Sequence, residues 1–324
     1  MGLPTPSPAY TDAVSGALER LRGVGFEHGP RFVNHAPMAA EALAHMGYAD
    51  AVPGWVDRNL RTHTYHEVPE PRWTIDAADG DDWRSALGEF SRVADWTALF
   101  ERELALAPWR EVLARWWPRL LPGMSGVLTH GVIRTAHAVR AIARAEEESP
   151  LYRNELAQGL GYWAARYASH THGIRPGDEY PRTGHSEGAA TLSALDRLVA
   201  EYAGRYASVP QRHPVPLIHS ITGPAAVRLV VEHLPVAQHH VSYLVARDVS
   251  ASMLDWFSVP EPQASAGSPQ APELAEVFAT AAAIGDEHAI KLAEVAVRHQ
   301  ALAPDPRLAA AAHAANQGLA RFRR

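Results

Sequence analysis

Four histidines of this chain stand in apolar surroundings. His35 lies in Phe32-Val-Asn-His35-Ala-Pro37-Met, and His130 in Gly126-Val-Leu-Thr-His130-Gly-Val-Ile-Arg134. His219 lies in Pro216-Leu-Ile-His219-Ser-Ile-Thr222-Gly-Pro224, and His288 in Gly285-Asp-Glu-His288-Ala-Ile-Lys291. Any one of them alone reads as a hydrogen-bonded core histidine. Four together in a chain with no cysteine point to metal chemistry, because imidazole is the natural ligand for iron, copper or zinc when thiolate is missing.

A second oddity lies beside His288. Lys291 is the only lysine among 30 basic residues, the rest being arginine. An amine can lose its proton and become a nucleophile or a ligand, whereas guanidinium stays charged. His288 and Lys291 are three apart and share a helix face. The plain alternative is a surface ion pair of Glu287 with Lys291 at i,i+4, worth about 0.2–0.5 kcal/mol. Against it, Lys291 is flanked by Ala289, Ile290, Leu292 and Ala293, as in a helix packed on much of its surface. Burial lowers the pKa of a lysine. A neutral amine can take up carbon dioxide as a carbamate, an anionic oxygen donor that a metal cation would stabilise.

Other histidines carry weaker signals. His137 stands two turns after His130 and reads first as a core or hydrogen-bonding residue. His239-His240 and His170-Thr-His172 place adjacent rings in different directions. His185-Ser-Glu187 has the local form of a two-histidine, one-carboxylate iron site, a short pattern common by chance. The nine tryptophans, Trp55, Trp116, Trp117, Trp163 and Trp256 among them, read as core, with some able to line a pocket for a flat substrate.

Several chemistries are excluded. The nearest imitation of a dinucleotide fingerprint, Gly23-Val-Gly25-Phe-Glu-His-Gly29, has the wrong spacing and follows a helix. There is no phosphate loop, no His-Glu-x-x-His zinc helix, no Glu-x-x-His di-iron pair and no Gly-x-Ser-x-Gly elbow. The absence of cysteine rules out disulfides and thiolate sites. A net charge of -6 argues against nucleic acid or an acidic membrane surface as partner. The sequence offers no obvious membrane span and no secretory signal, so a cytoplasmic location is expected. It says nothing of oligomeric state.

The elements that must position these residues are helical almost throughout. Helices are expected at 11–22, 37–45, 83–93, 96–106, 109–121 and 126–147, and again at 152–168, 189–206, 224–233, 241–257, 273–299 and 306–324. Residues 67–82 and 258–272 read as loops. Val215–Ser220 is the best strand candidate. With no repeat and no shift in composition, residues 1–324 are expected to form a single all-α domain with loop insertions.

The four histidine segments, taken in order, resemble the signature stretches of the questin oxidase-like family. They are Asn34-His35-Ala-Pro37-Met, Leu128-Thr-His130-Gly-Val-Ile-Arg134, Leu217-Ile-His219-Ser-Ile-Thr222 and Asp286-Glu-His288-Ala-Ile-Lys291. The chain is shorter than fungal members, and Arg134 departs from a stretch that is more apolar or histidine-containing there. The resemblance implies a helical fold and a mononuclear non-heme iron, Fe(2+), held by His35, His130, His219, His288 and a carboxylated Lys291. Lys291 and Thr222 become the candidate catalytic side chains, with Thr222 one turn beyond His219 and behind it. The implied activity is oxidative ring cleavage, Baeyer–Villiger-like or dioxygenase-like, of an anthraquinone or related aromatic polyketide by O2. Three alternatives stand beside it: a monooxygenase drawing on NADPH as external reductant, a zinc hydrolase, and a non-catalytic helical binding protein.

Overall fold

The computed structural model describes residues 7–145, 149–169, 185–209, 214–257 and 272–322, and of residues 185–187 and 322 the backbone alone. Serine-proline starts (Ser7-Pro8 and Ser149-Pro150) and aspartate caps (Asp79 and Asp286) set four of the helix starts. Helix α1 (Pro8–Arg20) opens on Pro8, with Ser7 accepting from the Tyr10 N–H. A two-residue antiparallel pair, β1 (Glu27–His28) with β2 (Phe32–Val33), leads into α2 (Ala36–His45). Next come α3 (Val52–Thr62), α4 (Gly80–Ala86), α5 (Val93–Leu106), α6 (Trp109–Leu120) and α7 (His130–Arg144). They are followed by α8 (Pro150–Ala165), α9 (His185–Ser208), α10 (Pro214–Val231) and α11 (His239–Trp256). The last three are α12 (Leu274–Ile284), α13 (Glu287–Leu302) and α14 (Pro306–Phe322). Among the described residues the protein is all-α apart from the small β pair, as the sequence pattern predicts.

Four of the expected elements differ. The expected strand at 215–220 lies inside α10, a continuous helix through Pro224. β-branched residues there are buried on nearly all sides, so alternation carries no face information. The expected helix 83–93 ends at Ala86, where Gly88 takes a φ of +79°. The expected start at Gly126 moves to His130, because Val127, Leu128 and Thr129 adopt left-handed φ values of 45°, 53° and 63°. The expected helix 273–299 divides at Gly285, a left-handed C-terminal cap, with Asp286 capping the next helix through the His288 and Ala289 N–H groups. The loop assigned to 258–272 falls outside the described residues except at Pro272.

The core is aromatic on one side. Trp96 and Phe100 of α5 stack, and Trp116 of α6 meets both edge-on with centroids 5.8 and 5.0 Å away. Trp117 meets Trp163 edge-on at 5.2 Å. Trp256, by contrast, is exposed. On the other side, α2, α7, α10 and α13 form a ring in which each helix touches the next. Helix α10 has the length and apolarity of a membrane span, but 83% of that stretch is buried inside the protein, as befits a core helix.

The α7–α8 contact fixes where α7 begins. A Cβ on Gly131 would lie 2.6 Å from the Trp163 backbone, so only glycine lets the start of α7 approach α8 this closely. That approach seats His130 in the interior.

Candidate metal centre

Each of the four ring helices delivers one histidine near its N-terminal end. His35 is the N-cap of α2, His130 the first residue of α7, His219 the sixth of α10 and His288 the second of α13. All four are buried. One nitrogen from each lies within 4.8 Å of the others. The Nε2 of His130 is 2.7 Å from that of His35 and 3.0 Å from that of His219. His288 packs edge-on against His35, with centroids 4.5 Å apart, and against His219 at 5.4 Å. The four positions singled out in the sequence therefore meet.

The opposite nitrogens turn away from the centre. His219 Nδ1 donates to the Val215 carbonyl at 2.9 Å, and His130 Nδ1 donates to the Val127 carbonyl. A carbonyl only accepts, so both rings carry their proton on Nδ1 and leave Nε2 as a lone-pair donor. His35 Nδ1 faces Glu287 at 3.6 Å, and His288 Nδ1 faces Asp286 at 3.6 Å. Carboxylates in those places favour the same tautomer. Such outer partners orient the ligands of a metal site. Asp286 and Glu287 were not recognised as functional from sequence. Asp286 was legible as a helix cap, and Glu287 only as half of a surface pair with Lys291.

The electrostatics suit ligands. Burial holds His35 and His130 well below the ordinary imidazole pKa, and the nearby Lys291 charge pushes both further down. Burial does the same to His219, followed by its histidine neighbours and then Lys291. All three are neutral at pH 7, as metal ligation requires.

Lys291 is 1% exposed, which excludes the surface ion pair. Burial lowers its amine to about 8, against the opposing pull of Glu287 and Asp286. Its Nζ has no hydrogen-bond partner, and neither does His288 Nε2. A buried amine and a buried ring nitrogen, each without a partner, are costly unless something binds them.

The donor set fits a cation. Two imidazole nitrogens about 2.1 Å from one ion and at right angles to each other lie about 3.0 Å apart. The spacing of His130 from His219 matches that value, and the His35 spacing falls slightly inside it. An all-nitrogen set of neutral imidazoles accepts iron, copper or zinc.

Thr222 is buried, and its hydroxyl donates to the Ile218 carbonyl of its own helix at 3.2 Å. No hydrogen bond joins it to a histidine. His137 stays apart from the cluster, with Nδ1 2.8 Å from Glu41. Arg134 is spent on a two-pronged ion pair with Glu155, at 2.7 and 2.8 Å, and on Gln158. It stands one turn after His130 on α7, and the described contacts of its guanidinium are these bonds and the face of the Phe26 ring. His239 bonds the Leu234 carbonyl. The His170-Thr-His172 segment and the side chains of His185-Ser-Glu187 lie outside the described residues.

Set against protein-family models and against curated proteins, the chain matches neither a family model nor a curated relative. Its own architecture defines it: an all-α protein with a buried group of four histidines able to hold a metal ion.

Proposed function

We propose that this chain is a cytoplasmic non-heme iron oxygenase that uses O2 to cleave a ring of an electron-rich aromatic substrate of the anthraquinone or related polyketide class. The observation that carries the metal-dependent part is the meeting of four imidazoles beside an unpartnered buried amine. The choice of iron and the substrate class are supported by the resemblance of the four histidine segments.

Bound Fe(2+) would supply the one-electron chemistry that lets dioxygen react with a closed-shell aromatic. His35, His130, His219 and His288 would hold it. The carbonyls of Val127 and Val215 and the carboxylates of Asp286 and Glu287 hold the four rings in place. Burial of the cluster excludes water. Lys291 loses its ammonium proton, its Nζ forms a bond to carbon dioxide, and a second proton leaves the nitrogen. The product is a carbamate anion that brings an oxygen donor and negative charge to a neutral histidine set. Thr222, bonded within α10, steadies the turn that carries His219. The substrate supplies the electrons; NADPH belongs to the monooxygenase alternative.

The test is anaerobic purification, loading with Fe(2+), metal analysis, and oxygen uptake with a dihydroxyanthraquinone, with and without NADPH. Stoichiometric iron and uptake without NADPH are expected. Uptake only with NADPH would move the protein to the monooxygenase class. Turnover with zinc in the absence of oxygen, or failure to retain any metal, would sink the oxygenase reading.

A further inference from the structure

The helices that carry the histidines at their N-terminal ends bring their C-terminal ends to a second cavity of about 320 Å³. His45 ends α2, Arg140 and Arg144 lie in the last turns of α7, Arg228 in the last turn of α10, and Arg298 late in α13. The four helices therefore run the same way, from the cluster to this cavity. At about 1.5 Å per residue, the ten residues from His130 to Arg140 or from His288 to Arg298 separate the two sites by about 15 Å.

Three of the arginines are paired. Arg140 bonds Glu41 and Glu294, and Arg298 bonds Glu294 at 2.9 Å. Arg228 bonds Asp196 at 3.0 Å and Glu232 at 2.5 Å. Arg144 differs. It meets no carboxylate among the described residues; its contacts are a 3.4 Å approach to His45 Nδ1 and the Tyr10 ring 5.0 Å from its guanidinium carbon. Its Nε is buried without any hydrogen-bond partner. Glu232, held by Arg228, and His233 complete the polar part of the wall, and the rest is aliphatic: Met46, Leu229, Val297, Ala301 and Leu302. A guanidinium that meets no carboxylate among the described residues, facing a cavity with an aliphatic stretch of wall, is complementary to a single negative charge on an apolar body.

We propose that this cavity is a binding site for a medium-chain monocarboxylate, with the carboxylate on Arg144 and the chain along Met46, Leu229 and Val297. The site is independent of whether the histidines hold iron. Aliphatic walls favour an alkyl chain, and the single unpaired cation favours one charge over two.

Calorimetry and thermal shift with octanoate, octan-1-ol and inorganic phosphate test this on the full chain, alongside Arg144→Met and Ala301→Trp. Arg144→Met keeps the apolar stem and removes the charge. Ala301 is exposed, so a tryptophan there obstructs the cavity without disturbing the core. Octanoate is expected to bind saturably at one site. Its affinity should fall about ten-fold or more in Arg144→Met, the usual effect of losing a charge-assisted hydrogen bond. Ala301→Trp should abolish binding, and octan-1-ol and phosphate should each bind at least about ten-fold more weakly than octanoate. Equal binding of octanol or phosphate, unchanged octanoate binding in Ala301→Trp, or no saturable binding to the wild type would overturn the proposal. The arginines would then serve only to balance the negative ends of four parallel helix dipoles. If Arg144→Met does not fold, Ala301→Trp and the neutral analogue still decide the matter.

Discussion

The Nε2 atoms of His130 and His219 stand 3.0 Å apart, while each ring gives its Nδ1 proton to a carbonyl of the segment just before it, Val127 or Val215. Two lone pairs facing each other in a buried site repel unless a proton or a cation lies between them. Burial holds both rings well below the ordinary imidazole pKa, which disfavours the proton. A metal cation would satisfy the pair.

His219→Phe should therefore cost the protein its metal. Elemental analysis after anaerobic loading should show retention falling to less than about a tenth of the wild-type value, since one lost ligand removes several kcal/mol of binding. The Val215 carbonyl and the fold of α10 do not depend on the imidazole, so helical content should be unchanged. Full metal retention would contradict the assignment of His219.

Lys291 separates stability from activity. Lys291→Met removes a buried amine with no partner, so the metal-free variant should be more stable than the metal-free wild type by about 1–3 kcal/mol. Urea midpoints measure this. Turnover should be lost in Lys291→Met and also in Lys291→Arg, because a guanidinium cannot form the carbamate. A carbon-13 carbamate signal from labelled bicarbonate should appear in the wild type and vanish in both variants. Full activity in Lys291→Arg would refute the carbamate.

Glu287 acts through His35. Glu287→Gln keeps the shape of the side chain and removes the charge facing Nδ1. Metal affinity, measured by chelator competition, should fall about ten-fold to a hundred-fold. A Glu287→Gln protein that binds metal as tightly as the wild type would show that this carboxylate merely fills space.

The left-handed stretch Val127–Thr129 reverses a familiar preference. In a helix, alanine is more stabilising than glycine by about 0.5–1 kcal/mol. At Leu128, with φ at 53°, Leu128→Gly should instead be more stable than Leu128→Ala by about 1 kcal/mol. Chemical denaturation of the two variants decides the sign.

Acid should weaken the fold through His299. Burial lowers its pKa to about 4, helped by Arg298 and opposed by Asp196. A folded pKa below the unfolded value near 6.5 means that the unfolded chain binds the proton more readily. The stability is complete above the unfolded value and is lost as pH falls toward 4. Between pH 7 and 5 this residue alone should cost about 2 kcal/mol. The carboxylates of Glu41 and Glu294, both held below their usual range by arginine despite burial, act only at lower pH. The stability difference between the two pH values should shrink by about 2 kcal/mol in His299→Gln, the remainder coming from the other buried histidines, His45 among them; an unaltered difference would exclude His299 as a source.

What could be read from the chain follows from how local the signals are. The helices, the burial of the Lys291 segment and the four histidine stretches were legible because periodicity and caps act over a few residues. The break at Gly285-Asp286 was missed because the apolar pattern runs through it, although a glycine followed by a capping aspartate is a local stop-and-start signal. Val215–Ser220 was misread as a strand because a helix buried on nearly all sides loses its amphipathic stripe.

The amino-acid sequence alone determined an all-α protein with one lysine and four histidines set in apolar segments. Tertiary packing decided that those histidines meet, that Glu287 serves His35 rather than Lys291 at a surface, and that Arg144 meets no carboxylate among the described residues. The physical reason is range. The contacts of His130 with His35 and His219 span 95 and 89 residues, and no local rule of helix formation determines which helix lies beside which or that all four run the same way.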